Sequence, residues 1–174
     1  MTSTLERLAE LVAAEGDPLR GAVREVQQPP DAPTPATIAA AGPRASADPA
    51  EYELLVEAIY EGFLLHHGEP RIMSGDDVDL ALLAGDRLYT IGLERLVALG
   101  DLPAVRELAD LITLCSLLVA HGERSSCEGL WRAGARAVGY GSDEDYAAVK
   151  ALVLSGDPGA PAAIAALDAR STVA

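Results

Sequence analysis

The stretch GDDVDLALLAGDRLYTIGLERLVALGDLPAVRELADLITLCSLLVAHG, residues 75–122, decides the fold. Between Asp79 and Leu99, leucine, isoleucine and valine recur at helical spacing and point almost all the way round the helix. A helix apolar on nearly every side is expected to be enclosed. From Pro103 to Ala120 the pattern begins amphipathic, with Arg106, Glu107 and Asp110 on one side, and turns apolar from Leu111. The first half of that helix is therefore expected to meet water and the second half to be covered. Between the two lies Leu99-Gly100-Asp101-Leu102-Pro103. A turn this short, with an aspartate to cap the next helix, makes the pair antiparallel.

Working outward, residues 49–67 form the preceding helix, with Asp48 as N-cap, Pro49 at the first helical position and Glu51 completing a capping-box pattern. Tyr52, Val56, Ile59, Phe63 and His66 share one face, while Glu53, Glu57 and Glu61 line another. Gly68 and Pro70 end it. On the other side, a glycine-bearing helix over 125–138, with Trp131 at its edge, and two short helices over 143–154 and 158–168 complete the bundle. The N-terminal residues 1–26 read as an amphipathic helical arm, broken at Gly16-Asp17-Pro18, where Asp17 would cap the second piece. Residues 27–49 hold six prolines and almost no large apolar side chain, so they read as a linker or a surface-hugging loop. The expectation is an all-α chain: a single bundle of six to eight helices over 50–170, an arm and a linker.

Composition agrees. In 174 residues the hydrophobic fraction is 49% but aromatics supply only 4%, so Leu, Val, Ile and Ala must fill the core. The formal charge of −14 repels nucleic acid and anionic lipid, while it suits a basic partner protein. Cys115 and Cys127 lack any CxxC spacing and read as free thiols, which fits a cytoplasmic location. Glu6, Glu10 and Glu15 interrupt the first apolar segment, so no signal peptide is expected there, and the best apolar run, 111–120, is too short to span a membrane.

Several polar residues stand out. Asp86 interrupts the apolar helix, in line with Asp79 and Thr90. If buried, it needs a partner, such as Arg106, Arg132 or Thr90; alternatively Asp79 and Asp86 mark a polar cavity, or Asp86 is simply exposed. Asp76, Asp77 and Asp79 read first as acids at a helix N-terminus, and secondarily as weak candidates for a metal. His66, His67 and His121 all stand at helix ends, where the dipole favours them. Arg71 follows closely, and with His66 and His67 it could meet an anionic ligand.

The segments LLAGDRLYTIGLERLVALGD (82–101) and LLHHGEPR (64–71) together resemble the isoprenyl diphosphate synthase family. Leu83, Gly85, Asp86 and Leu88 match that family's LxGDxL helix, and His66 stands where its first aspartate-rich motif begins. The resemblance covers about residues 50–122 and implies a prenyl-synthase-like helical core. It also implies allylic diphosphate chemistry with magnesium held by two aspartate-rich motifs. Here His67-Gly68-Glu69 replaces the first of these and the second is absent, and the chain is about half the family's usual length. The expectation is therefore a truncated, non-catalytic subunit or scaffold without a cofactor, associating as a homodimer or with a partner protein. The alternative is a small isoprenoid-diphosphate-related enzyme, with magnesium, or a binder of an apolar ligand with an anionic head. His66, His67, Arg71, Asp79 and Asp86 would then line its site.

Overall fold

A computed structural model of the chain describes residues 2–26 and 33–171. Among these residues there are nine α-helices and no strand: α1 (Thr4–Ala14), α2 (Leu19–Ala22), α3 (Pro35–Ala40), α4 (Pro49–His67), α5 (Val78–Leu99), α6 (Leu102–Ala120), α7 (Cys127–Tyr140), α8 (Glu144–Ser155) and α9 (Ala160–Ser171). The fold is all-α, and six of the helices, α4 to α9, fall in the span where six to eight were expected. The helix starts are chemically explicit. Ser3, Thr34, Asp48, Asp77, Asp101 and Asp143 each accept a backbone N–H in the first turn of the helix they precede. Gly100 takes φ +76° after α5, a left-handed turn that costs glycine little and lets α6 double back. Two details of the capping differ from expectation. Asp17 does not cap α2, whose N-cap is Pro18 without a side-chain bond, and the Glu51 carboxylate turns away from its cap to bind Arg95.

The axis of the fold is α4 rather than the α5–α6 pair. Eleven of its nineteen residues are buried, because it sits between two apolar clusters. On one side Leu54, Ala58 and Leu65 meet α1 and α5 through Leu5, Leu8, Val12, Ala81, Ala84 and Leu88. On the other, Leu55, Ile59 and Phe63 join the larger cluster with α3, α6, α7, α8 and α9. The residues of the expected arm thus pack on the bundle itself. A single antiparallel bridge, Val23 to Met73, ties its end to the loop after α4.

Two close approaches explain much of the arrangement. In the α4–α5 crossing, a Cβ at Gly62 would lie 2.9 Å from the Gly85 carbonyl oxygen, and one at Gly92 would lie 2.8 Å from that of Leu55. Small residues on the facing sides let these helices approach almost backbone to backbone. The second is between α3 and α7. Ala36, Ala39 and Ala45 are fully buried, and a Cβ at Gly139 would come closer than 3.0 Å to the Ala39 carbonyl oxygen. This corrects the reading of 27–49 as a linker. Residues 27–32 lie outside the described residues, but within 33–48 Pro35, Ala36, Ala39, Gly42 and Ala45 are buried, small residues rather than large side chains. Trp131 is likewise central and fully buried rather than at an edge, in ring contact with Tyr60 at 5.0 Å and Phe63 at 5.6 Å.

Candidate docking face

The longest helix, α5, is not enclosed. Its inner side is made of Ala81, Ala84, Gly85, Leu88, Ile91, Gly92 and Leu96. Its outer side carries Leu82, Leu83 and Val97, which are 44%, 55% and 56% exposed. Val78, Leu99 and, past the turn, Leu102 are exposed too. The expectation of a buried helix fails for a physical reason. The glycines and alanines seat the helix against α4, and the large side chains are left on the far side. The second half of α6 is also less covered than expected, with Thr113, Ser116 and Ala120 exposed. The hydroxyls there turn inward on their own helix: Thr113 donates to the Ala109 carbonyl at 3.1 Å and Ser116 to that of Ile112 at 2.8 Å.

Asp86 lies on this outer face. Its side chain is 74% exposed, so neither the buried ion pair with Arg106 or Arg132 nor the polar cavity is realised. Thr90 donates to the Asp86 carbonyl at 2.9 Å, a backbone bond only. The carboxylate's nearby partner is His66, whose Nε2 is 3.4 Å from Oδ1 and 3.1 Å from the Leu82 carbonyl oxygen. Both neighbours are acceptors, so Nε2 is assigned the hydrogen. The His66 ring is mostly buried and sits where a side chain at Gly85 would otherwise be. Its edge meets Tyr89 at 5.2 Å.

The other candidates do not join it in one site. His67 stacks obliquely on Phe63 at 5.4 Å, and burial, with His66 and Arg124 nearby, lowers its pKa. Arg71, expected to face a ligand, is committed inside the protein. Its guanidinium binds the Glu57 carboxylate, and its Nε donates to Glu61 at 2.9 Å. Glu61 is fully buried and also accepts the backbone N–H groups of Arg71 and Ile72, at 2.5 and 3.0 Å. Glu57 and Glu61, which the sequence places on one face of α4 with Glu53, are the two buried acids of the protein's described part. Burial pushes the Glu57 carboxyl above the usual range despite Arg71. The signal that could have placed them is α4 itself, which has apolar residues on every side and so leaves no solvent face for these acids.

Asp77 caps α5 by accepting the Leu80 N–H at 3.1 Å, and Asp76 accepts from the Ser74 hydroxyl at 2.6 Å. Asp79 is exposed in the first turn. These acids do the work of a helix N-terminus, and their arrangement does not suit magnesium, which needs oxygens converging on one point. Among the described residues no three His, Cys, Asp or Glu side chains are grouped to hold a metal. A pocket of about 280 Å³ opens between α7, α8 and α9, lined by Arg136, Tyr140, Ser142 and Leu167 among others; it includes none of the predicted site residues. No helix among the described residues is long and apolar enough to cross a membrane. Cys115 and Cys127 are free and buried.

No protein-family model matches the sequence, and neither curated proteins nor solved structures show a match to it. Fold and surface therefore carry the functional argument: an all-helical protein that leaves Leu82, Leu83 and Val97 in water along one helix, with Asp86 and Thr90 between them.

Proposed function

We propose that this protein is a non-catalytic helical subunit that docks on a partner protein through the outer face of α5. The observation that carries the reading is the exposure of Leu82 and Leu83 and, about four turns on, Val97 along the outer side of α5, with Val78, Leu99 and Leu102 exposed at its two ends. Isolated exposed leucines are ordinary, but large apolar side chains left in water at both ends of one helix mark an interaction surface. The likeness of residues 50–122 to isoprenyl diphosphate synthases fits this role, with an all-helical catalytic subunit as the partner. The alternative, an enzyme or binder for an apolar ligand with an anionic head, has less support. Arg71 is held by Glu57 and Glu61, and His66 and Asp86 border an open face rather than a cavity.

The test is site-specific photocrosslinking in the source cells. A photoreactive residue at Leu83 or Val97 should give one discrete crosslinked product, and one at Ala148, exposed on α8, should not. Equal or absent crosslinking from all three positions overturns the proposal.

A further inference from the structure

The chemistry of the partner can be read from the same face, and this inference rests on the docking reading above. Positions Asp79, Leu82, Leu83, Asp86, Thr90 and Val97 are exposed along the outer side of α5, while Leu93 between them packs on the core. Thr90 spends its hydroxyl hydrogen on its own helix, so the side-chain group left at the middle of the stripe is the Asp86 carboxylate. His66 contacts that carboxylate from the inner side, and most of it faces solvent. Among the described residues no Lys or Arg lies within salt-bridge distance of Asp86. The cations of α5 are engaged elsewhere: Arg87 binds Glu15 at 2.7 and 3.0 Å, and Arg95 binds Glu51. Beside the stripe, Glu94 is paired with Arg87 at 3.6 Å, and the exposed Asp79 has the same sign as Asp86.

An apolar partner covering Leu83 and Val97 would strip water from Asp86, and a carboxylate desolvated without a counter-charge is strongly unfavourable. A second copy of this chain does not solve that problem. Its cations between positions 79 and 97, Arg87 and Arg95, are taken by Glu15, Glu94 and Glu51, and it would bring a second Asp79 and Asp86 to the seam, in a protein already at −14. We infer that the natural occupant is a different protein, whose docking helix presents a lysine or arginine flanked by apolar residues, and that this cation lands on Asp86. Such a pair sets register and partner choice, since a partner with an acid or a plain apolar residue at that point leaves the desolvated Asp86 with the His66 ring alone.

Two fluorescent 21-residue helical peptides test this against the full chain by anisotropy. Both carry the same leucine seam, and they differ at one central position, Arg in one and Glu in the other. The Arg peptide should bind at least about tenfold more tightly, as expected for a close interfacial charge pair. Asp86→Asn should remove that preference. If both peptides bind alike and Leu83→Glu weakens both, the docking face stands and the cationic partner is wrong. If Leu83→Glu changes nothing, or neither peptide binds, the docking reading itself is overturned. If sedimentation shows that the wild-type chain dimerises and Leu83→Glu abolishes the dimer, the occupant is a second copy and the inference fails.

Discussion

Replacing Gly139 by alanine separates two accounts of this chain by the sign of the effect. Gly139 lies within α7, and in a helix exposed to water the change to alanine adds up to about 1 kcal/mol of stability through helix propensity. In the structure the new methyl would meet the backbone of α3: closer than 3.0 Å to the Ala39 carbonyl oxygen and 3.1 Å from both its carbonyl carbon and Cα. A backbone cannot change rotamer. Relief therefore requires α3 to back away from α7, exposing Ala36, Ala39 and Ala45, all fully buried. Overpacking of a tight contact costs about 1–3 kcal/mol, and with backbone on both sides the upper end applies. The net expectation is a loss of about 2 kcal/mol. In urea this moves the midpoint down by roughly 1 M, for a slope near 2 kcal/mol per molar. Gly21→Ala is the control, because nothing lies within 4 Å of a Cβ there; it should be neutral or stabilise by up to about 1 kcal/mol. Circular dichroism during urea unfolding reads both. A Gly139→Ala variant as stable as the wild type, or more so, would refute the packing of α3 on α7 and return residues 33–48 to the status of a linker.

Arg71→Met should cost about 3–5 kcal/mol in urea unfolding, since Glu57 and Glu61 stay buried without their cation; a loss under 1 kcal/mol would mean the network is not closed. Because the Glu57 carboxyl is raised by burial, its contribution is fully present below its unfolded value of about 4.3 and is lost as pH rises through its folded value. The stability of wild type relative to Glu57→Gln should therefore fall as pH increases from 4, and a flat difference would contradict the burial. Asp101 has the opposite sign. Burial resists its ionisation, but the Tyr52 hydroxyl, the Ala104 N–H and Arg44 outweigh this and hold it low, so its contribution is present at neutral pH and lost as pH falls through its folded value. Asp101→Asn should accordingly destabilise at pH 7 more than at pH 3 in the same unfolding assay. Leu83→Glu and Val97→Glu should leave the thermal midpoint nearly unchanged, as is usual for exposed positions; a large drop would place these side chains in the core. Finally, Cys115 and Cys127 should resist a thiol-specific reagent in native buffer and react in urea, because both are buried.

Helix existence was legible along most of the chain because it depends on local chemistry. Asp48 and Asp101 cap the next helix, Asp77 caps α5 from within the acidic cluster, and Gly68, Gly100 and Gly122 mark the ends. Of the candidate site, the sequence singled out Asp86, and the structure sets it beside His66. Its surroundings were not legible, since Leu82, Leu83 and Val97 look the same in a sequence whether they face a neighbour or water.

What the sequence determined by itself is therefore the helical character and the capping chemistry, since both rest on interactions within one turn of the backbone. Which helix stands at the centre, which side of α5 meets water, and why Glu57 and Glu61 are buried were decided only by tertiary structure. Those outcomes depend on how closely two backbones approach, and that is set by pairs such as Gly62 with Gly85 and Gly42 with Gly139, distant in sequence and matched only once the chain has folded.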